Sequence, residues 1–217
     1  YVDASQMTYT DGMVIENARI RNNFADGVNF AQGTANSAVR NSSVRGNGDD
    51  GLASWSSIDT STNSQARVAE ANSFVGNTIE LGWRASGIGI FGGKSHAIRD
   101  NLLVNNFSGA GIRLNTVFDG HNFDLNTDGG ITIAHNKLVR SGTTNDFYGN
   151  TRGAIDFREV KGTFATSPPP TMSLFAPTLR RSAPTLASAR VLCLPAASRC
   201  AITSVTTRPA TLPRAKS

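Results

Sequence analysis

Two adjacent carboxylates, Asp49 and Asp50, stand in the stretch Gly46-Asn47-Gly48-Asp49-Asp50-Gly51-Leu52-Ala53. A third, Asp26, precedes a similar Gly27-Val28 step. Grouped carboxylates suit hydrolysis of a glycosidic bond. One, protonated, donates to the leaving oxygen; another, ionised, activates water, and an inverting pair sits about 6.5–9.5 Å apart. Crowding raises the pKa of at least one member, which lets an Asp keep a proton at working pH. A lone Asp-Gly is usually a solvated corner. What lifts this group above that reading is the matched position of Asp26 and Asp50, with Trp55 close behind the doublet.

These residues need elements that bring two distant segments together. The chain from Tyr1 to Gly162 repeats loosely. One half-unit is apolar and then Asn, as in Val14-Ile15-Glu16-Asn17, Ile20-Arg21-Asn22-Asn23, Val39-Arg40-Asn41, Phe74-Val75-Gly76-Asn77 and Ile98-Arg99-Asp100-Asn101. The other is a small or acidic residue, Gly (once Ala), then apolar, as in Asp26-Gly27-Val28, Asp50-Gly51-Leu52, Ser86-Gly87-Ile88, Ala110-Gly111-Ile112 and Gly153-Ala154-Ile155. Taking Ile20, Val39, Phe74, Ile98 and Ile133 as equivalent gives a period of about 19 to 35 residues. Short apolar stretches between Asn, Gly and Asp read as strands and corners. The expected fold is all-β: a right-handed parallel β-helix of five to six coils, stacked because no coil buries its apolar face alone. Most of the asparagines are then corner residues in a hydrogen-bonded ladder. Neighbouring coils lie about 4.8 Å apart, so Asp26 and Asp50 are expected side by side on one face. Asp49, one residue out of step, would point away in a regular strand. Twist at Gly48 and Gly51 is expected to return it. Ser54–Glu70 and Asn115–Gly130 read as insertions, which map to loops.

Composition divides the chain. Residues 1–162 hold all 21 glycines and all 16 acidic residues, with 14 Lys/Arg, for a net −2. Residues 163–217 hold all 8 prolines and both cysteines, with 7 Lys/Arg and no acid, Gly or Asn. The formal charge of +5 therefore comes from the tail's +7 and is no nucleic-acid footprint. Residues 1–162 read as a β-helix catalytic-domain fragment. Residues 163–217 read as a Pro/Ala/Ser/Arg-rich tail outside the helix: a disordered linker, a processed extension, or out-of-frame translation. Thr185–Leu194 can be drawn as a helix. No apolar run approaches the roughly 20 residues of a membrane span. The chain opens at Tyr1 without a signal peptide and is taken as a piece of a longer protein.

The stretches Asn22-Asn23-Phe24-Ala25-Asp26-Gly27-Val28-Asn29-Phe30 and Arg45-Gly46-Asn47-Gly48-Asp49-Asp50-Gly51-Leu52-Ala53-Ser54-Trp55-Ser56 resemble glycoside hydrolase family 87, the β-helix α-1,3-glucanases (mutanases) and mycodextranases. Polygalacturonases and family 49 dextranases share the single Asp before an Asp doublet more distantly. The resemblance covers residues 1 to 160. It implies an inverting endo-hydrolase of α-glucan with Asp26, Asp49 and Asp50 catalytic. By analogy with the polygalacturonases, Asp49 is the general acid and Asp26 with Asp50 activates water. It also implies a secreted monomer with a polysaccharide partner and neither nucleic acid nor membrane.

Asn29, Trp55, Trp83, His96 and Arg113 are the candidate substrate contacts. Tryptophans stack on sugar faces, while His96 and Arg113 offer polar contacts. His135 reads as a structural corner residue. Asp119, His121, Asp124 and Asp128 match no known metal loop, so neither metal nor other cofactor is expected. Two other functions compete: a non-catalytic glycan-binding or surface module, and a polysaccharide lyase. The lyase ranks last because no Arg/Lys cluster accompanies the trio in sequence.

Overall fold

The computed structural model describes residues 9–56, 67–117, 123–124, 130–158, 160–161, 164–165, 171–174, 185–193 and 200–209. Five coils stack, each of three short strands. They are β1 (Val14–Glu16), β2 (Arg19–Arg21) and β3 (Val28–Phe30); β4 (Ala38–Arg40), β5 (Ser43–Arg45) and β6 (Leu52–Trp55); and β7 (Ser73–Val75), β8 (Thr78–Glu80) and β9 (Ile88–Phe91). The fourth coil is β10 (Ala97–Arg99), β11 (Leu102–Val104) and β12 (Ile112–Asn115). A two-residue strand, β13 (Phe123–Asp124), precedes the fifth: β14 (Thr132–Ala134), β15 (Lys137–Val139) and β16 (Ile155–Arg158). Within the five coils, first, second and third strands pair with their counterparts, in parallel, so three sheets run the length of a parallel β-helix.

The register corrects the repeat. Val14, Ala38, Ser73, Ala97 and Thr132 are stacked, in steps of 24, 35, 24 and 35 residues. Ile20 pairs with Val44 and belongs to the second sheet, while Val39 pairs with Ile15 in the first. The 19-residue spacing had mixed two sheets. Two apolar half-units per coil look alike in sequence and differ only in where the corner turns.

The central residue of most three-residue strands points inward. Val39, Phe74, Ile98 and Ile133 form one buried column, and Val44, Ile79, Leu103 and Leu138 another. Phe30 stacks on Phe74 with ring centroids 5.6 Å apart. Stacking of like residues at each level builds one continuous core from coils that could not hold one alone.

The corners follow the residue types. Asn17, Asn41, Asp100 and His135 take left-handed backbone at the first corner, joined by Gly76 (φ 50 to 69°). The next residue turns inward and forms an amide ladder. Asn136 Oδ1 accepts from the Asn101 side chain at 2.9 Å, Asn101 Oδ1 from Asn77 at 3.1 Å, and Asn77 Oδ1 from the Ser42 amide at 3.0 Å. An amide both donates and accepts, so each rung satisfies its neighbour in the core.

Beyond the coils, β17 (Phe164–Ala165) pairs with β13. β18 (Thr171–Leu174) adds to β14, and β19 (Thr185–Cys193) and β20 (Cys200–Pro209) follow antiparallel. The helix drawn over Thr185–Leu194 is therefore replaced by a strand. An open sheet edge templates further strands, which outweighs the modest helix preference of Ala and Leu. Of the residues considered for a metal loop, Asp119, His121 and Asp128 lie outside the described residues, and Asp124 is the second residue of β13.

Candidate active site

The carboxylate trio sits at the corner entering the third sheet. Asp50 follows Asp26 one coil on: the Gly27 amide donates to the Asp50 carbonyl at 3.0 Å, and Gly51 repeats the bond to Ser86 at 2.9 Å. Both carboxylates are thereby brought to one face, as the spacing predicted. Asp49 joins them because residues 48–50 form the corner rather than a strand, so side-chain alternation does not apply. The flanking glycines serve space rather than twist. A Cβ on Gly48 would lie 2.1 Å from the Phe24 carbonyl and 2.4 Å from the Trp83 ring, and one on Gly51 would lie 2.6 Å from the Gly87 carbonyl.

One oxygen from each of the three carboxylates lies within 4.8 Å of the other two. Carboxylates this close repel, and the repulsion is relieved by a cation or by a proton shared among them. Asp50 is 4% exposed and its Oδ1 accepts from the Ser86 amide at 2.8 Å. Burial, then the charges of Asp26 and Asp49, push its pKa up to about 7. Asp26 accepts from the Asp50 amide at 3.0 Å and from the Asn29 side chain at 2.7 Å. Burial and Asp49 still raise it to about 6. Asp49 keeps 36% of its side chain exposed and is ion-paired to Arg84, whose guanidinium pKa is raised by that contact.

The third sheet supplies the floor. Period-two alternation puts Asn29, Ala53, Gly89, Arg113 and Asp156 in one row across the coils. Gly89 is the gap into which Asp50 folds, because a Cβ there would lie 2.5 Å from Asp50 Oδ2. Arg113 lies over the Phe91 ring at 5.6 Å, and Phe91 pairs with Trp55. Asn29, Ala53, Trp55, Phe91 and Arg113 line a cleft of about 800 Å³ with the trio, Tyr148, Arg152 and Arg158.

Of the candidate contacts, Asn29, Trp55 and Arg113 line this cleft. Trp83 stands just outside it, half exposed, edge-on to Phe24 at 6.0 Å. His96 does not belong to the site. It is 1% exposed, and its Nδ1 accepts from the Asn72 amide at 3.2 Å as a rung of an interior ladder. Burial lowers its pKa to about 4, so it is neutral. A lone histidine one repeat past the doublet gave no sign of which way it faced. His135 sits at its corner against Asp100, at 3.4 Å.

Sequence reasoning named Arg113 and missed the other arginines. Arg84, Arg113, Arg152 and Arg158 come from separate stretches of the chain and cluster only in space. They are engaged: Arg84 by Asp49, Arg152 by Asp146 at 2.7 Å and Asp156 at 3.0 Å, Arg158 by Asn150 at 3.0 Å, and Arg113 by Asp156 at 4.0 Å. Three of these cations are already answered by acids, which leaves them poorly placed to neutralise a uronate.

The parallel β-helix thus brings three corner carboxylates together on one aromatic-lined cleft. Residues 3–165 match the family model described as α-1,3-glucanase catalytic domain D2, and the chain belongs to that family. The solved structure described as the Agl-KA catalytic domain is 51% identical, with a TM-score of 0.63 over 72% of this chain and 27% of that one. A family 87 α-1,3-glucanase variant solved with tetrasaccharides is 20% identical, with a TM-score of 0.56 over 76% of this chain and 34% of that one, a likeness of fold. The chain thus spans about a quarter to a third of these structures. No curated protein matches.

Proposed function

We propose that this chain carries the catalytic face of a secreted, monomeric, inverting endo-hydrolase of α-1,3-linked glucan that uses no cofactor. The observation behind this reading is the convergence of Asp26, Asp49 and Asp50 from two coils on one cleft, in a chain of a glucanase family. Asp49, partly exposed and paired with Arg84, is the general acid at the leaving oxygen. Asp26 and Asp50 hold the water. Two oxygens less than 4.8 Å apart both reach a single water at about 2.8 Å each. The acid lies within 4.8 Å of both as well, closer than the about 6.5–9.5 Å usual between acid and base in inverting enzymes, so the anomer of the first product tests the inverting assignment. Their pKa values of about 6 and 7 suit a base working near neutrality. The rate therefore rises with pH as the pair ionises. Trp55 and Phe91 offer faces for pyranose rings.

The test is release of reducing sugar from α-1,3-glucan, with dextran and nigeran as comparison substrates. Proton NMR of the first product should show the β-anomer, as inversion requires. Asp49→Asn should lower the rate by about 10² to 10⁴-fold while the chain still sediments with glucan. Binding without any release by the parent would make the chain a non-catalytic glycan module. An unchanged rate in the variant would remove Asp49 from the acid role.

A further inference from the structure

The corner between the second and third strands lengthens sharply in coil five. It takes six residues in coils one and two (22–27 and 46–51), seven in coils three and four (81–87 and 105–111) and fifteen in coil five (140–154). The additional residues form a hairpin. The Thr143 amide donates to the Arg152 carbonyl at 3.0 Å, and the Arg152 amide returns the bond at 2.8 Å. At the tip stand Phe147 and Tyr148, edge to face with ring centroids 5.2 Å apart. They are 69% and 67% exposed, so neither ring is spent on the core. Adjacent aromatic rings left in water beside a cleft mark a binding surface rather than a packing one.

The hairpin is held from inside. Asp146 is buried, and its carboxylate accepts from the Tyr148 and Asn150 amides at 2.9 and 2.7 Å, from the Asn150 side chain at 3.3 Å and from Arg152 Nε at 2.7 Å. Arg152, buried as well, donates its Nη1 to Asp156 at 3.0 Å in the floor row. Asn150 Oδ1 accepts from Arg158 at 3.0 Å, at the end of the same strand. A polar loop of this length has little apolar burial to order it. Here a buried charge pair orders it in advance, which removes that cost from binding.

The hairpin forms the coil-five wall of the cleft, which Tyr148, Asn150 and Arg152 line. Coil five lies three coils on from Asp50, about 14 Å along the stack at the usual spacing. The hairpin leans back from there, because Tyr148 is within electrostatic reach of Arg84 in coil three. We infer that the hairpin Thr143–Arg152 is a glucan-binding wall, in which Tyr148 stacks on a sugar ring away from the bond that is cut and Asp146 is the positioning residue that holds it there. A pyranose presents a C–H face that an aromatic ring covers, and Phe147, edge-on, fixes the plane of the Tyr148 ring. The inference rests on the reading of the cleft as an α-1,3-glucan site. It suits endo action, which requires the chain to be held beyond the sugars that flank the bond.

The test is calorimetric titration with an α-1,3-linked glucose hexasaccharide, in the Asp49→Asn background so that the ligand is not consumed. Adding Tyr148→Ala should weaken binding about tenfold, with the melting temperature unmoved because the ring is exposed. Tyr148→Phe, which keeps the ring, should restore the affinity to within about twofold. Asp146→Ala should weaken binding by a similar factor, and the double change Asp146→Ala with Tyr148→Ala should be no weaker than the worse single one, because Asp146 acts through the ring. Equal affinity with and without Tyr148→Ala overturns the wall, and additive losses in the double variant overturn the positioning role of Asp146. A background chain that binds no hexasaccharide overturns the glucan reading and the wall with it. If the parent releases no sugar but binding still falls in Tyr148→Ala, the wall stands and only the hydrolase is removed.

Discussion

The corner carrying Asn77, Asn101 and Asn136 and the corner carrying Asp26 and Asp50 solve the same geometric problem in opposite ways. Both stack polar residues from successive coils. In the first, each side-chain amide accepts from the rung on one side and donates to a backbone carbonyl, for instance Asn101 Nδ2 to Phe74 O at 2.8 Å. The column is closed and nothing is left over. In the second, carboxylates replace amides. A carboxylate only accepts, so two of them cannot form rungs. Each takes a backbone amide, Asp26 from Asp50 and Asp50 from Ser86, and the charges that remain repel. One residue type makes the stack a strut; the other leaves electrostatic repulsion facing a cleft. Similar backbone can therefore carry stability in one corner and chemistry in another.

The contrast can be broken at its most sensitive point with Gly89→Ala. Its Cβ would fall 2.5 Å from Asp50 Oδ2, with Phe91 as close on the other side at 2.7 Å. Asp50 must shift by about an ångström, which should lower kcat on the order of 10²-fold, while thermal unfolding stays near the parent's. A fall in stability with intact turnover would show that Asp50 is only a corner residue.

The opposite perturbation is Asn101→Ala. It leaves the Asn77 amide without its acceptor in the core and removes one of the two donors to Asn136 Oδ1. It should cost about 1–3 kcal/mol of stability, read by denaturant unfolding, with turnover at room temperature largely kept. Loss of turnover without loss of stability would erase the distinction between the two corners.

A change at the acid itself sharpens the comparison. Asp50→Asn should abolish hydrolysis yet stabilise the fold at pH 8, on the order of 1–3 kcal/mol. The sign follows from the raised pKa. Protonated Asp50 is favoured in the fold, so its contribution is full below the unfolded value of 3.8 and lost as pH rises through about 7. The advantage of the neutral amide over the Asp50 carboxylate should therefore vanish near pH 4. Equal melting temperatures at pH 8 would mean the carboxylate is not strained.

Much of this was legible before any coordinates. The strand-corner repeat announced the solenoid, because Asn and Gly at regular intervals are what left-handed corners require. The match of Asp26-Gly27 to Asp50-Gly51 placed two carboxylates side by side, because stacking converts a repeat offset into a fixed neighbour. Other features left no such trace. His96 looked like a site residue and is a ladder rung, since strand and corner positions alternate in and out with no change in residue type. Gly48, read as a point of twist, is a gap for Trp83, and Gly89 in its strand is a gap for Asp50.

What the sequence determined by itself is therefore the architecture and the acids. Both depend on local periodicity, which a linear string records. What only the tertiary structure decided is the company the acids keep. Arg84 pairs with Asp49, and Arg113 and Arg152, both paired with Asp156, line the same cleft; they come from three different coils, and no spacing along the chain encodes a meeting across a stack. The proton's place is likewise a property of the assembled corner. Burial and mutual charge raise Asp26 and Asp50, and one guanidinium answers Asp49. These are interactions through space, and they exist only once the coils are stacked.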